Sequence, residues 1–182
     1  MRVGVAVVAL TMGGCSRKVE LPAKPAPAPV VASAPVVTAR TAPLVDPAAM
    51  KALLVQHHGH PLLVNVFASW CGPCAQELPD LDRFARENPR FKIVGVDIDQ
   101  TEADAMKFLP KVPTTMSVVR SPLGVDPLFP ALGLPADFSE SFPKGWEATV
   151  PLTFVYDSKG EFATGSVGAL TSEALAEIAK TP

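Results

Sequence analysis

Three runs of mostly apolar residues interrupt the chain: PLLVNVFA at 61–68, FKIVGVDID at 91–99 and TTMSVV at 114–119. The first, a short continuous run, predicts a strand buried on both faces, the second another buried strand, and the third a further strand. Between them the spacing of apolar positions becomes helical. Asp46 is placed to cap a helix with Pro47 in its first turn, and Met50, Leu53 and Leu54 form its apolar stripe. Gly59 can end it in the left-handed conformation. A second helix is expected from Gly72 to Asn88, with Leu78, Leu81 and Phe84 inward. A third is expected over TEADAMKFL, stopped by Pro110.

Residues 121–149 are rich in turn formers, with a short helix expected after Asp126. LTFVY and EFATGSV then flank the turn DSKG and predict an antiparallel hairpin. A last helix starts at Thr171 and carries Leu175 and Ile178 inward. Strands alternating with helices, closed by a hairpin and a helix, predict an α/β fold: a mixed sheet with helices on both faces. No internal repeat is visible.

The pattern fails over the first 45 residues. Arg2 and the apolar VGVAVVALTM form a charged start and a short hydrophobic segment, too short to span a bilayer, which takes roughly 20 apolar residues. The segment ends in MGGC, which resembles a bacterial lipobox with Cys15 as the lipidated residue. An ordinary signal peptide cut nearby is the alternative. Residues 16–45 are dominated by alanine, proline and valine without an amphipathic period, so they predict a semi-extended tether. VVTAR within it is an alternative first edge strand. The expected organisation is a signal peptide over 1–14, a lipidated cysteine and tether over 15–45, and one domain over 46–182. A length of 182 residues suffices for one domain with its own core. The net charge of -2 and pI near 5.9 give no basic patch, which argues against nucleic acid as partner.

Of three cysteines, Cys15 stands alone, and Cys71 and Cys74 sit in FASWCGPCAQELP, where a buried strand passes into a helix. Cys71 is then near a helix N-terminus, where unpaired N–H groups and the helix dipole favour its thiolate, the nucleophile of disulfide exchange. Cys74 lies one turn along, in reach of a mixed disulfide on Cys71. Gly72 leaves room for an approaching backbone, and Pro73 costs no donor in the first turn. Two other uses remain open. A structural staple would close a very short loop and constrain the unfolded chain little. A zinc site needs four ligands, and His57, His58 and His60 would have to supply the rest from the far end of the strand. The histidines alone also read as a solvated helix end.

VNVFASWCGPC resembles a thioredoxin-fold oxidoreductase, and WCGPC is the active-site sequence of thioredoxin. The likeness extends over roughly residues 46–182. Pro79 matches the proline inside the family's active-site helix, and VPLTFVYDSKGEFATGSVGAL resembles its cis-proline strand, hairpin and end. Asn65, where thioredoxin has a buried aspartate, and Glu77, three residues after Cys74, are similar to the membrane-tethered TlpA/ResA-type reductases. So is the length between the third helix and Pro151, which implies a strand–helix insertion before the cis-proline strand.

The resemblance implies Cys71 as attacking thiol, Cys74 as resolving thiol and Glu77 as its proton acceptor, with an exposed surface glutamate as the alternative for Glu77. Trp70, Gly72, Pro73, Val150, Pro151 and Gly168 are implied as the substrate surface, with Pro151 cis and Pro113 trans. A cis Pro151 would also keep metal off the cysteines. Phe142 and Trp146 either widen that surface or pack in the core. No cofactor beyond the Cys71–Cys74 disulfide is expected, and no metal. The implied activity is reduction of extracytoplasmic protein disulfides, serving thiols that must stay free, such as those for haem attachment. Protein thiols are then the substrates, a transmembrane thiol carrier the electron source, and a bacterial membrane the anchor point on its periplasmic side for a monomer. A thiol oxidase or isomerase, or a binding lipoprotein with an idle disulfide, is the alternative.

Overall fold

The computed structural model describes residues 42–135 and 149–182. Five strands form one mixed sheet: β1 (Leu62–Phe67), β2 (Lys92–Asp97), β3 (Ser117–Arg120), β4 (Leu152–Tyr156) and β5 (Phe162–Val167), in the order β3-β2-β1-β4-β5. β1 pairs parallel with β2 and antiparallel with β4, β2 pairs parallel with β3, and β4 and β5 form the antiparallel hairpin. This is the thioredoxin fold. All six residues of β1 and all five of β4 are buried, as consecutive apolar residues require when both faces are covered.

Among the described residues five helices flank the sheet: α1 (Pro47–Gln56), α2 (Gly72–Glu87), α3 (Glu102–Phe108), α4 (Phe129–Leu132) and α5 (Ser172–Ile178). Asp46 caps α1 by accepting from the Ala49 N–H at 2.7 Å, with Pro47 in the first turn. Thr101 and Thr171 cap α3 and α5 in the same way. α1 lies against α4, and Met50 is its buried anchor. Burying a side chain of this size is worth roughly 1.5–3 kcal/mol, and half-buried Leu53 and Leu54 pack against the core beside it. The ring of Phe67 lies over Gly95, where an added Cβ would stand 2.6 Å from it, and packs on Phe108 with centroids 5.3 Å apart. Gly95 therefore lets the end of β1 settle against β2 just before the cysteines.

The insertion before the cis-proline strand is visible as β3 and α4, both between α3 and β4. Three boundaries differ from the sequence pattern. β3 begins at Ser117, because Met116 N–H closes a turn on the Pro113 carbonyl. Pro110 falls inside a 3-10 turn, Leu109–Lys111, that continues α3. The expected tether also ends earlier than 45. The backbone of Pro43 to Val45 hydrogen-bonds along Arg120 at the edge of β3, and Val45 is buried. VVTAR, Cys15, Phe142 and Trp146 lie outside the described residues. No helix among the described residues is long and apolar enough to cross a membrane.

Candidate redox site

α2 starts where β1 ends, and Cys71 is its N-cap. Its Sγ accepts the Cys74 N–H at 3.1 Å, so the sulfur faces the N-terminal amides of a 16-residue helix. A thiolate at Cys71 gains from that N–H and from the helix dipole. In the structure Cys71 and Cys74 form a disulfide. Cys74 has no exposed surface and Cys71 is 4% exposed, so only the first sulfur borders the outside. Gly72 and Pro73, between them, are exposed, and nothing stands within 4 Å of a Cβ placed on Gly72. Pro79 sits within α2.

The other wall of the site comes from the start of β4. Val150–Pro151 is the cis peptide bond among the described residues, and the Val150 carbonyl oxygen lies 3.4 Å from Cys71 Sγ. Gly168 donates its N–H to the Pro151 carbonyl at 2.9 Å and has φ of 92°, a conformation that favours glycine. The hairpin end is thereby tied to the cysteine pair. Trp70 is 67% exposed beside Cys71. The sequence-expected surface of Trp70, Gly72, Pro73, Val150, Pro151 and Gly168 is therefore brought to one place.

Glu77 is only 2% exposed, which excludes a surface carboxylate. It stands one turn beyond Cys74 on α2. Its Oε1 accepts from Asn65 Nδ2 at 2.8 Å and its Oε2 from the Leu170 N–H at 3.0 Å. Asn65 Nδ2 also reaches Thr153 Oγ1 at 3.3 Å, while Asn65 Oδ1 is buried without a partner. Burial pushes the Glu77 carboxyl above its ordinary range, and the two hydrogen bonds pull against that rise. The acid thus ties the active-site helix, the central strand and the turn after β5 together at the base of the cysteine pair.

Two acids and a serine were not anticipated as part of the site. Asp99 accepts from both the Ser69 N–H and the Ser69 Oγ, each at 2.9 Å, and so holds the residue before Trp70. Asp97 accepts the Asp99 N–H at 2.8 Å through Oδ1, and its Oδ2 is buried without a partner. Burial, with Asp99 beside it, raises Asp97 to about 6. The pattern in the sequence that could have disclosed them is VDID: two acids two apart at the end of an apolar strand, hence on one face.

His57, His58 and His60 precede β1, whereas Cys71 follows its far end. His57 is lowered by burial and by Lys92 and His60 nearby. No group of three potential metal-ligating side chains occurs among the described residues.

The thioredoxin family model matches residues 45–121. The chain is 32% identical to the thiol:disulfide interchange protein HelX of Rhodobacter capsulatus over 114 residues, 62% of this chain and 55% of that one. It is 42% identical to a thioredoxin of Streptomyces clavuligerus over 48 residues, 26% of this chain and 45% of that one. The chain spans about half the length of the curated relatives it matches. Among solved structures, a DsbE-type thiol:disulfide interchange protein of Chlorobium tepidum superimposes with a TM-score of 0.53 at 28% identity, covering 68% of this chain and 79% of that one.

Proposed function

We propose that this thioredoxin-fold domain is a thiol–disulfide oxidoreductase that reduces disulfides of extracytoplasmic proteins. The observation that carries the reading is the placing of Cys71 Sγ: it receives the Cys74 N–H, lies 3.4 Å from the Val150 carbonyl, and borders exposed Trp70. A sulfur held in that way is favoured as thiolate and open to one partner at a time.

In the reduced protein the Cys71 thiolate attacks a substrate disulfide. One substrate sulfur joins Cys71 and the other leaves as a thiolate that takes a proton. Cys74, losing its own proton to Glu77, then attacks Cys71 Sγ. The Cys71–Cys74 bond forms, the mixed disulfide breaks, and the second substrate sulfur leaves reduced. Two electrons pass from the dithiol to the substrate. A transmembrane thiol carrier returns them. Val150 offers its backbone to an extended substrate chain, in the manner of an added strand, and Trp70 and Gly168 border it. Lipid on Cys15 holds the domain at the periplasmic side of a bacterial membrane.

Cys74→Ser is expected to trap mixed disulfides with protein substrates on non-reducing gels, and Cys71→Ser to trap few. The reverse pattern overturns the assignment. Titration against glutathione, read by tryptophan fluorescence, is expected to give a potential on the reducing side, toward the about -270 mV of thioredoxin. A value near the about -120 mV of a strong oxidant turns the reading into disulfide donation.

A further inference from the structure

Asp97 has no part in the chemistry above, yet it is buried completely with one carboxyl oxygen unpartnered. A buried charged oxygen without a donor is costly, and a proton on it removes the cost if an acceptor is near. The acid beside it is Asp99, whose N–H donates to Asp97 Oδ1 at 2.8 Å and whose carboxylate is among the causes of the rise of Asp97. Asp99 in turn is the residue that holds Ser69 by two hydrogen bonds, and Ser69 precedes Trp70 and Cys71. One chain of contacts therefore runs from the Asp97 carboxyl through Asp99 and Ser69 toward the N-cap of α2.

We propose that Asp97 and Asp99 are positioning residues that share one proton and so hold the Ser69–Cys71 loop, and that losing this proton loosens the loop and slows attack by Cys71. With the proton present, Asp97 donates to Asp99, and a single charge is spread over a carboxylate that also accepts from Ser69. Without it, two like charges face each other in a buried place, and repulsion works against the position of Asp99. Both changes disfavour the Cys71 thiolate: the cap geometry relaxes, and a second negative charge appears behind the loop.

The charged groups facing the pair are few. Arg120 on β3 is the register partner of Asp97 and attracts its ionised form. Lys107 on α3 senses Asp99. Neither donates a hydrogen bond to Asp97 Oδ2. The rise of Asp97 to about 6, from burial with the Asp99 carboxylate adding to it, agrees with a proton held there in mildly acid solution.

The consequence for rate rests on the thiol–disulfide reading above, whereas the titration that tests the pair does not. In the oxidised full-length protein the cysteines do not titrate. The Ser69 amide and the Asp97 side-chain carboxyl carbon are followed by nuclear magnetic resonance from about pH 4.5 to about pH 8. Both are expected to move together with one midpoint near 6. In Asp97→Asn, whose amide donates to Asp99 permanently, the Ser69 step is expected to vanish. In the reduced protein, the ratio of variant to wild-type rate on a small aromatic disulfide is expected to climb from unity at acid pH to a plateau above one at neutral pH. A flat Ser69 amide in wild type, or a midpoint that persists in Asp97→Asn, overturns the pair. The carboxyl resonance keeps the test valid if the variant does not fold. A Ser69 titration in a protein that never reduces protein disulfides supports the pair and removes the activity instead.

Discussion

Glu77 and Asp97 are both buried acids beside the redox loop, and their surroundings differ in kind. Each oxygen of Glu77 meets a neutral donor, one from Asn65 and one from the Leu170 backbone. Asp97 has a donor on one oxygen only, and another acid, Asp99, stands beside it. Burial raises both and a hydrogen-bond donor restrains both, but on Asp97 the Asp99 carboxylate adds to the rise. Partners, more than depth, decide what a buried acid does. Glu77 is built to stay in place in either protonation state, because Asn65 can present an amide hydrogen or an amide oxygen. Asp97 is built to change its contacts when it loses its proton.

The largest effect is expected from breaking the Glu77 site. Glu77→Leu leaves the buried Leu170 N–H without its acceptor and the Asn65 amide with Thr153 alone, at about 1–3 kcal/mol for each lost bond, so a loss of about 2–6 kcal/mol is expected in denaturant unfolding. Glu77→Gln keeps the volume and one acceptor, and its stability is expected to change far less. Its chemistry is expected to change more. General-base help is worth about 10²–10⁴-fold, so mixed disulfides should outlast those of the wild type in stopped-flow fluorescence, while the first attack by Cys71 changes little. Resolution at the wild-type rate from about pH 6 to about pH 9 would leave Glu77 a structural tie alone.

Asp97→Asn is the next largest, with the opposite sign. Asp97 holds its proton more tightly in the folded chain than in the unfolded one. Its contribution to stability is therefore full below the unfolded pKa and is lost as pH rises through about 6. A rise from 3.8 to about 6 corresponds to at most about 3 kcal/mol. The asparagine variant is thus expected to be more stable than wild type by up to that amount at neutral pH, and no more stable near the acid end. Paired urea melts at both pH values test this. Equal gains at both ends would mean packing, not the proton, is responsible.

The cysteine pair, the cis-proline strand and the order of elements were legible because each rests on local chemistry. WCGPC joins a thiol, a helix start and a proline, and VPLTFVYDSKG joins a buried strand to a tight turn. Asn65 and Glu77 were legible as positions, but their bond was not, since it joins residues 12 apart on a strand and a helix. The Leu170 N–H on Glu77 spans 93 positions, and no periodicity discloses such a partner. The boundary at residue 45 was misplaced for a related reason. Pro43 to Val45 look like the rest of a proline-rich tether, and only the edge of β3, 75 residues on, gives their backbone a partner. Asp97 and Asp99 were read only as part of the buried strand FKIVGVDID, because composition alone does not say whether a strand end meets water or a loop.

Ser69→Ala carries the smallest expected effect and the sharpest comparison. It removes the hydroxyl bond to Asp99 and leaves the backbone bond, so both acids stay and only the grip on the loop weakens. A hydrogen bond to a charged group is worth about 1.5–3 kcal/mol, and the partial exposure of Ser69 places the loss at the low end of that range. If Asp97 and Asp99 merely cap β2, this loss is the same at every pH. If they share a proton that sets the grip, Ser69→Ala costs more below about pH 6, where Asp99 is held, than above it, where repulsion has already weakened the contact. In the Asp97→Asn background the cost of Ser69→Ala should then stop depending on pH. Contacting residues couple by about 0.5–3 kcal/mol, so the cycle is measurable. A pH-independent cost in both backgrounds would make the two acid sites alike after all, each a fixed buried contact and neither a titrating one.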